Sequence, residues 1–141
     1  MRLVHPRVGV VLAKHGGALE KMQLPFKMGL GGKIGSGEQY MSWIHIDDVA
    51  LAIGFALRSE MQGPFNLSAP APVTNAEFTK ALGRALHRPT IFTVPRFAAK
   101  LGGEMADEML LASQRAVPNA LLEAGYGFRY GTIDAALDAI F

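Results

Sequence analysis

The run Arg7-Val8-Gly9-Val10-Val11-Leu12 decides the class of fold, because it is short, apolar and rich in β-branched residues. Such a run is typical of a strand buried on both faces, as in the middle of a parallel sheet. The next segment, 18–27, has apolar residues at helical spacing, and Pro25 is expected to kink or end that helix. A buried strand followed by a helix predicts an α/β fold.

Two further helices are predicted by the same spacing. One follows Asp47 and Asp48, and it should bury five residues that recur at helical spacing: Val49, Ala52, Ile53, Ala56 and Leu57. The other begins at Thr74-Asn75-Ala76-Glu77, which matches a capping box. The pattern also predicts a loop and hairpin turn at 29–37, a strand at 39–46, a short strand at 126–130 and a helix that carries Met105 and Met109.

Composition excludes several functional classes. The chain has 141 residues, 50% of them hydrophobic, which suits one compact domain or part of a larger one. A net charge of +2 is nearly balanced, so we predict no nucleic-acid partner. The absence of cysteine removes disulfides and thiolate chemistry, and it is typical of a cytoplasmic protein. The apolar runs are shorter than the roughly 18–20 residues of a membrane span, so no membrane association is predicted.

The usual catalytic and ligand-binding motifs are missing. The four histidines show no pair at metal-ligand spacing, so no metal site is predicted. No serine lies in a nucleophile-elbow motif. The glycines at 29–37 lack the preceding strand and following helix of a dinucleotide fingerprint. His15-Gly16-Gly17 does lie between a strand and a helix, and it is either a plain turn or a place where free amides face an anionic ligand.

The segment 42–49, Ser-Trp-Ile-His-Ile-Asp-Asp-Val, carries the most chemical information. In an extended chain, alternation puts Trp43, His45 and Asp47 on one side and the two isoleucines in the core. A histidine beside a carboxylate can act as a general acid/base pair or hold a polar substrate group. Alternatively, His45 is a structural hydrogen-bonding group and Asp47 or Asp48 caps the next helix.

Several motifs in one order resemble the later half of atypical extended short-chain dehydrogenase/reductases. The closest group is the NAD-dependent epimerase/dehydratase-like family, whose members are also described as sugar nucleotide epimerases or cell division inhibitors. The motifs that carry this resemblance are Arg7-x-Gly9-Val10-Val11-Leu12, Gly16-Gly17-Ala18-Leu19-x-Lys21-Met22, 29–37, 42–49, Gly63-Pro64-Phe65-Asn66-Leu67-Ser68-Ala69-Pro70, 85–89 and Gln114-Arg115-Ala116-x-Pro118. They span nearly the whole chain.

The resemblance implies a two-part molecule, with an N-terminal Rossmann half that holds NAD or NADP and a C-terminal half that shapes the substrate pocket. This chain resembles only the second part, and it lacks both the glycine fingerprint and a Tyr-x-x-x-Lys relay. We therefore expect no cofactor on this chain alone, and we assign it no cofactor-binding or catalytic residue. The implied organisation is 1–70 as the last strands and helices of the Rossmann-like sheet, with active-site-side loops, and 71–141 as a mostly helical substrate-side subdomain.

The resemblance also implies substrate-pocket candidates, namely Gly16, Gly17, Trp43, His45 and Asp47. The predicted function is the substrate-binding portion of an NAD(P)-dependent nucleotide-sugar epimerase/dehydratase-like protein, inactive alone. The expected partners are the missing Rossmann half, a small molecule such as a nucleotide sugar, and further copies of the chain, since exposed strand edges seek partners. Two alternatives remain: a free-standing interaction module or oligomerising scaffold, and a small hydrolase or isomerase that uses His45 and Asp47.

Overall fold

The computed structural model describes residues 3–94 and 116–141, which form the mixed α/β fold that the sequence predicts. Within these residues the eight strands are β1 Val4–Val8, β2 Val10–Leu12, β3 Gly32–Ile34, β4 Tyr40–Met41, β5 Trp43–His45, β6 Gly63–Leu67, β7 Val73–Thr74 and β8 Phe92–Val94. The five helices of the described residues are α1 Gly17–Lys27, α2 Ile46–Arg58, α3 Asn75–Leu86, α4 Asn119–Glu123 and α5 Ile133–Ile140. The predicted helix with Met105 and Met109 lies outside the described residues.

The strands associate in pairs. Three pairs are parallel, β1 with β6, β2 with β5 and β3 with β8, whereas β4 and β7 are antiparallel. A crossover segment therefore separates the strands of each parallel pair, as in other α/β proteins. The carboxyl ends of β2 and β5 meet at one sheet edge, because Leu12 lies opposite His45.

The predicted strand at 7–12 is divided between two sheets at Gly9. The Gly9 amide donates to the Leu67 carbonyl at 3.1 Å, and the next amide, of Val10, donates to the Ser42 carbonyl at 2.8 Å. A Cβ on Gly9 would lie 2.7 Å from that Ser42 oxygen, so the close approach requires glycine. Burial on both faces is wrong for this run, because Val8 is 50% exposed and no described strand other than β6 pairs with β1.

Two apolar clusters hold the fold together, and each combines residues from both 1–70 and 71–141. The first cluster joins α1, α3 and α5 around Trp43 and Phe78. The second joins α2, β6 and α4, and its buried members are Ile44, Ala52, Ala56, Phe65, Leu67, Leu121 and Tyr126. The proposed boundary near residue 70 stays a prediction.

Local sequence signals were reliable for the helices but less so for the faces they bury. The capping box of α3 is confirmed, with reciprocal bonds between Thr74 and Glu77. In α2, Ala52 and Ala56 are buried as predicted, whereas Ile53 and Leu57 are 38% and 60% exposed. The glycine-rich segment 29–37 contains β3 rather than loop alone, and 126–130 forms no strand. Pro25 lies inside α1, which continues to Lys27.

Candidate functional site

His45 lies at the junction between a strand and a helix. Because β5 ends at His45 and α2 begins at Ile46, the predicted alternation along 43–47 is wrong: Asp47 belongs to the helix, and Ile46 is 43% exposed. His45 itself is the N-cap of α2, and its Nδ1 accepts the Asp47 amide hydrogen at 3.0 Å. The junction therefore matches the structural alternative, with the histidine rather than an aspartate as the cap.

The surroundings of His45 favour the neutral imidazole. Burial lowers the pKa of His45, the nearby charges of Asp47 and Asp48 oppose that shift, and Arg129 adds to it. The imidazole packs on Tyr130 with ring centroids 4.1 Å apart, and its Nδ1 lies 3.8 Å from the Asp47 carboxylate. Since Nδ1 accepts a backbone hydrogen, the neutral ring carries its proton on Nε2.

Asp48 is the polar centre of this region, and the sequence did not single it out for that role. Its fully buried carboxylate accepts hydrogen bonds from the Tyr126 hydroxyl at 2.7 Å, the Arg129 amide at 3.0 Å and the Tyr130 amide at 2.9 Å. Burial and this carboxylate raise the pKa of Tyr126 above its usual range. A sequence signal did exist, because Asp48 lies four residues before Ala52 on the buried face of α2.

Trp43, Gly16 and Gly17 lie in three different settings. Trp43 is fully buried in the first cluster, and its indole Nε1 donates to the Ala71 carbonyl at 2.9 Å. Gly16 has φ 76° in the exposed loop after β2, and its amide donates to the Glu20 carboxylate at 2.6 Å. Gly17 is the first residue of α1. Of the five predicted pocket residues, the structure brings His45 and Asp47 into direct contact.

A cleft of about 360 Å³ opens at the carboxyl ends of β1 and β6. Ligands of open α/β sheets bind in the crevice at this end of the strands. The described residues that line the cleft are Arg7, Val8, Gly9, Ser42, Asn66, Ser68 and Ala116. The sequence reasoning missed this cleft, although Asn66 and Ser68 are polar residues at the end of an apolar strand.

The polar side chains of the cleft also anchor the chain at 116–117. Ser42 Oγ accepts the Ala116 amide hydrogen at 2.8 Å, and Ser68 Oγ donates to the Ala116 carbonyl at 3.3 Å. Asn66 Nδ2 donates to the Val117 carbonyl at 3.1 Å. The wall of the cleft is therefore built from segments distant in sequence, and Arg7 is the one cation among its described lining residues.

The described residues contain no group of three side chains suited to a metal ion. Over residues 3–94 and 116–141, no helix combines the length and apolar character needed to cross a bilayer.

Lowering the pH is expected to destabilise the protein through His45. Because its pKa is depressed on folding from the ordinary value of 6.5, the unfolded chain binds the proton more readily. The stabilisation contributed by neutral His45 should therefore be fully present above pH 6.5. The free energy of unfolding should decrease as the pH falls from there through the folded-state pKa. Urea denaturation between pH 7.5 and pH 5 measures this. His45→Asn retains a capping oxygen but does not titrate, so its stability should fall less; parallel profiles would contradict the assignment.

Comparison with known proteins places this geometry in context. Epimerase family protein Mb2239 of Mycobacterium bovis is 51% identical over 138 residues, which are 96% of this chain and 46% of that protein. The human epimerase family protein SDR39U1, solved with NADPH, matches 99% of this chain and 48% of its own, with a TM-score of 0.90 and 42% identity. This chain corresponds to the C-terminal part of epimerase-family proteins.

These relatives are longer than the chain that matches them. This chain spans about half the length of the mycobacterial and human proteins. The nucleoside-diphosphate sugar epimerase of Corynebacterium glutamicum matches 99% of this chain and 26% of its own, with a TM-score of 0.76 and 36% identity. Residues 94–140 also match a family model described as a domain of unknown function, DUF1731. The resemblance stated from the sequence is confirmed.

Proposed function

We propose that this chain is the substrate-binding, C-terminal portion of an NAD(P)-dependent nucleotide-sugar epimerase/dehydratase-like protein and is inactive alone. The observation that carries the proposal is the match of 99% of this chain to 48% of a human family member solved with NADPH. The C. glutamicum relative is a nucleoside-diphosphate sugar epimerase by name, which supports the substrate class. The chain's own contribution is then to recognise and orient substrate.

The cleft at the ends of β1 and β6 is our candidate for one wall of the substrate pocket. The Arg7 guanidinium presents several donors in a fork that matches phosphate oxygens, as a nucleotide sugar would require. Asn66 Nδ2 and the Gly9 amide already donate to the carbonyls of Val117 and Leu67, so Arg7 is the residue of this cleft that we propose contacts phosphate. Gly16, Gly17, Trp43, His45 and Asp47 remain pocket candidates by resemblance, with His45 and Asp47 at the edge where β2 and β5 end.

The loop between β2 and α1 is a poor candidate for a dinucleotide site. It has the strand–glycine–helix order that such a site needs, but its Gly16 amide is bound by Glu20. NAD or NADP would therefore be held by the N-terminal half of a complete protein. On this proposal, the chain alone neither binds NADPH nor catalyses a reaction.

The test compares this chain with a hybrid in which it replaces the matching part of the M. bovis relative. NADPH fluorescence should report binding to the hybrid but not to the chain alone, and UDP serves as the probe of the substrate side. In the hybrid, Arg7→Gln should weaken UDP binding about tenfold, because a charge-assisted hydrogen bond is lost. The control, Arg84→Gln, alters an exposed arginine already paired with Asp134 and should leave UDP affinity unchanged. NADPH binding by the chain alone, or equal UDP affinity in both variants, would overturn the proposal.

A further inference from the structure

A row of three cations runs along the exposed side of α3, and neither the proposed substrate cleft nor the His45 region includes it. Lys80 and Arg84 lie four residues apart on α3, and Arg88 follows four residues later in the turn after the helix. Residues four apart on a helix share one face and lie roughly 6 Å apart. All three side chains are exposed, and with His87 they line an open cleft of about 530 Å³.

The turn after α3 brings Arg88 back beside the helix. His87 caps α3 in the left-handed conformation, with φ 55°, and the Arg88 amide donates to the Gly83 carbonyl at 2.9 Å. A Cβ on Gly83 would lie 2.6 Å from Thr90 Cγ2, so the turn packs this closely because residue 83 is glycine. Arg88 Nε donates to the Lys27 carbonyl at 3.0 Å, which leaves the other N–H groups of the guanidinium without a bond among the described residues.

The carboxylates near the row neutralise only part of its charge. Arg84 donates to Asp134 of α5 at 2.8 Å, and both side chains are exposed. Lys80 makes no ion pair among the described residues, and the other carboxylates of α3 and α5, on Glu77 and Asp138, form none with the row. The row therefore presents three cations against one paired carboxylate, in a chain whose net charge is only +2.

The exposure of the row favours a macromolecular partner over a small ligand. A small-molecule site encloses most of its ligand, whereas this cleft is lined mainly by exposed side chains. Four apolar residues that are at least 50% exposed lie on the two segments joined by the contact of Arg88 with Lys27: Met28, Leu30, Ile91 and Phe92. Exposed apolar residues beside exposed arginines are typical of a surface that binds another protein.

We propose that Lys80, Arg84 and Arg88 form a docking surface for an acidic helix of a partner protein. In such a helix, carboxylates at i, i+4 and i+8 also lie roughly 6 Å apart on one face, so each can meet one cation of the row. The ion pair of Arg84 with Asp134 shows the same kind of contact within the chain, because it joins α3 to another helix. This inference goes beyond the proposed function, since it involves neither substrate nor cofactor.

The test measures the binding of a labelled alanine-rich helical peptide to this chain by fluorescence anisotropy. The peptide carries three glutamates spaced four residues apart, and the control peptide carries glutamine at those positions. We expect the glutamate peptide to bind at least about tenfold more tightly, with a difference that shrinks as the salt concentration rises. Asp134→Asn removes the carboxylate that competes for Arg84, so it should tighten binding of the glutamate peptide.

A charge reversal makes the test specific for the row. Arg88→Glu should weaken binding of the glutamate peptide about tenfold, because it replaces an attraction by a repulsion. A peptide with lysine in place of its matching terminal glutamate should recover much of that affinity, which also shows that the variant is folded. Arg58→Glu is the matched control, because it reverses an exposed arginine on α2, outside the cleft, and should leave the affinity unchanged.

Three outcomes would overturn the proposal. Equal binding of the glutamate and glutamine peptides would show that the row does not recognise carboxylates at helical spacing. Equal effects of Arg88→Glu and Arg58→Glu would show that the peptide binds elsewhere. Binding to vesicles that contain phosphatidylglycerol, abolished by Arg88→Glu and accompanied by no binding of either peptide, would assign the surface to an anionic membrane instead.

Discussion

Replacing Asp48 with alanine is expected to lower the free energy of unfolding by about 3–5 kcal/mol. The substitution removes the single acceptor that serves the Tyr126 hydroxyl and the amides of Arg129 and Tyr130. These donors lie in the interior or at its border, where water replaces the lost bonds poorly. Because the carboxylate ties α2 to residues 78 to 82 positions later, its loss should also loosen the C-terminal segment.

Urea denaturation of paired variants measures this effect. Asp47→Ala is the control, because Asp47 is 47% exposed and its contacts with His45 and Arg129 are long, at 3.8 and 3.9 Å. We expect Asp47→Ala to change the stability by no more than about 1 kcal/mol. Tyr126→Phe removes one of the three donors, so its loss of stability should lie between those of Asp47→Ala and Asp48→Ala. Equal losses for Asp47→Ala and Asp48→Ala would show that the buried network does not stabilise the fold.

Replacing Trp43 with alanine is the second large effect, with an expected loss of about 3–5 kcal/mol. Trp43 is the only tryptophan, it is fully buried in the first cluster, and its indole hydrogen is satisfied by the Ala71 carbonyl. The alanine variant leaves a cavity where α1, α3 and β5 meet, and it frees that carbonyl. Trp43→Phe keeps most of the apolar volume and should cost less.

The measurement is urea denaturation followed by far-ultraviolet circular dichroism, since the variants lack the fluorescent indole. Leu51→Ala is the matched control, because Leu51 is 47% exposed on α2 and its truncation should cost no more than about 0.5 kcal/mol. If Trp43→Ala proved as mild as Leu51→Ala, Trp43 would not be the packing centre of the first cluster.

The helices were predictable because their signals are local. The capping box at Thr74 and Glu77 satisfies amides within one turn, and the spacing of Ala52 and Ala56 reports a single buried face. Ile53 was predicted to be buried by the same spacing, but it is exposed. Helical spacing predicts which apolar residues share a helix face, but it does not show whether another element covers each of them.

The candidate site was predictable only in part, for the same reason. A strand that ends near residue 46 and a helix that follows it were predicted, but the predicted caps, Asp47 or Asp48, are wrong because His45 caps α2. The cleft depends on hydrogen bonds that Ala116 makes with Ser68 and Ser42, which lie 48 and 74 positions earlier in the chain. No short window of sequence contains such a pair.

By itself, the sequence determined the α/β class, the positions of α2 and α3, and the family, because these depend on local periodicity, helix caps and motif order. Only the tertiary structure decided that the run at 7–12 changes partner strands at Gly9 and that Asp48 binds the C-terminal segment. Both depend on hydrogen bonds between residues far apart in the chain. Residue type shows that a buried carboxylate or a bare amide needs a partner, whereas the folded chain determines which partner comes within reach.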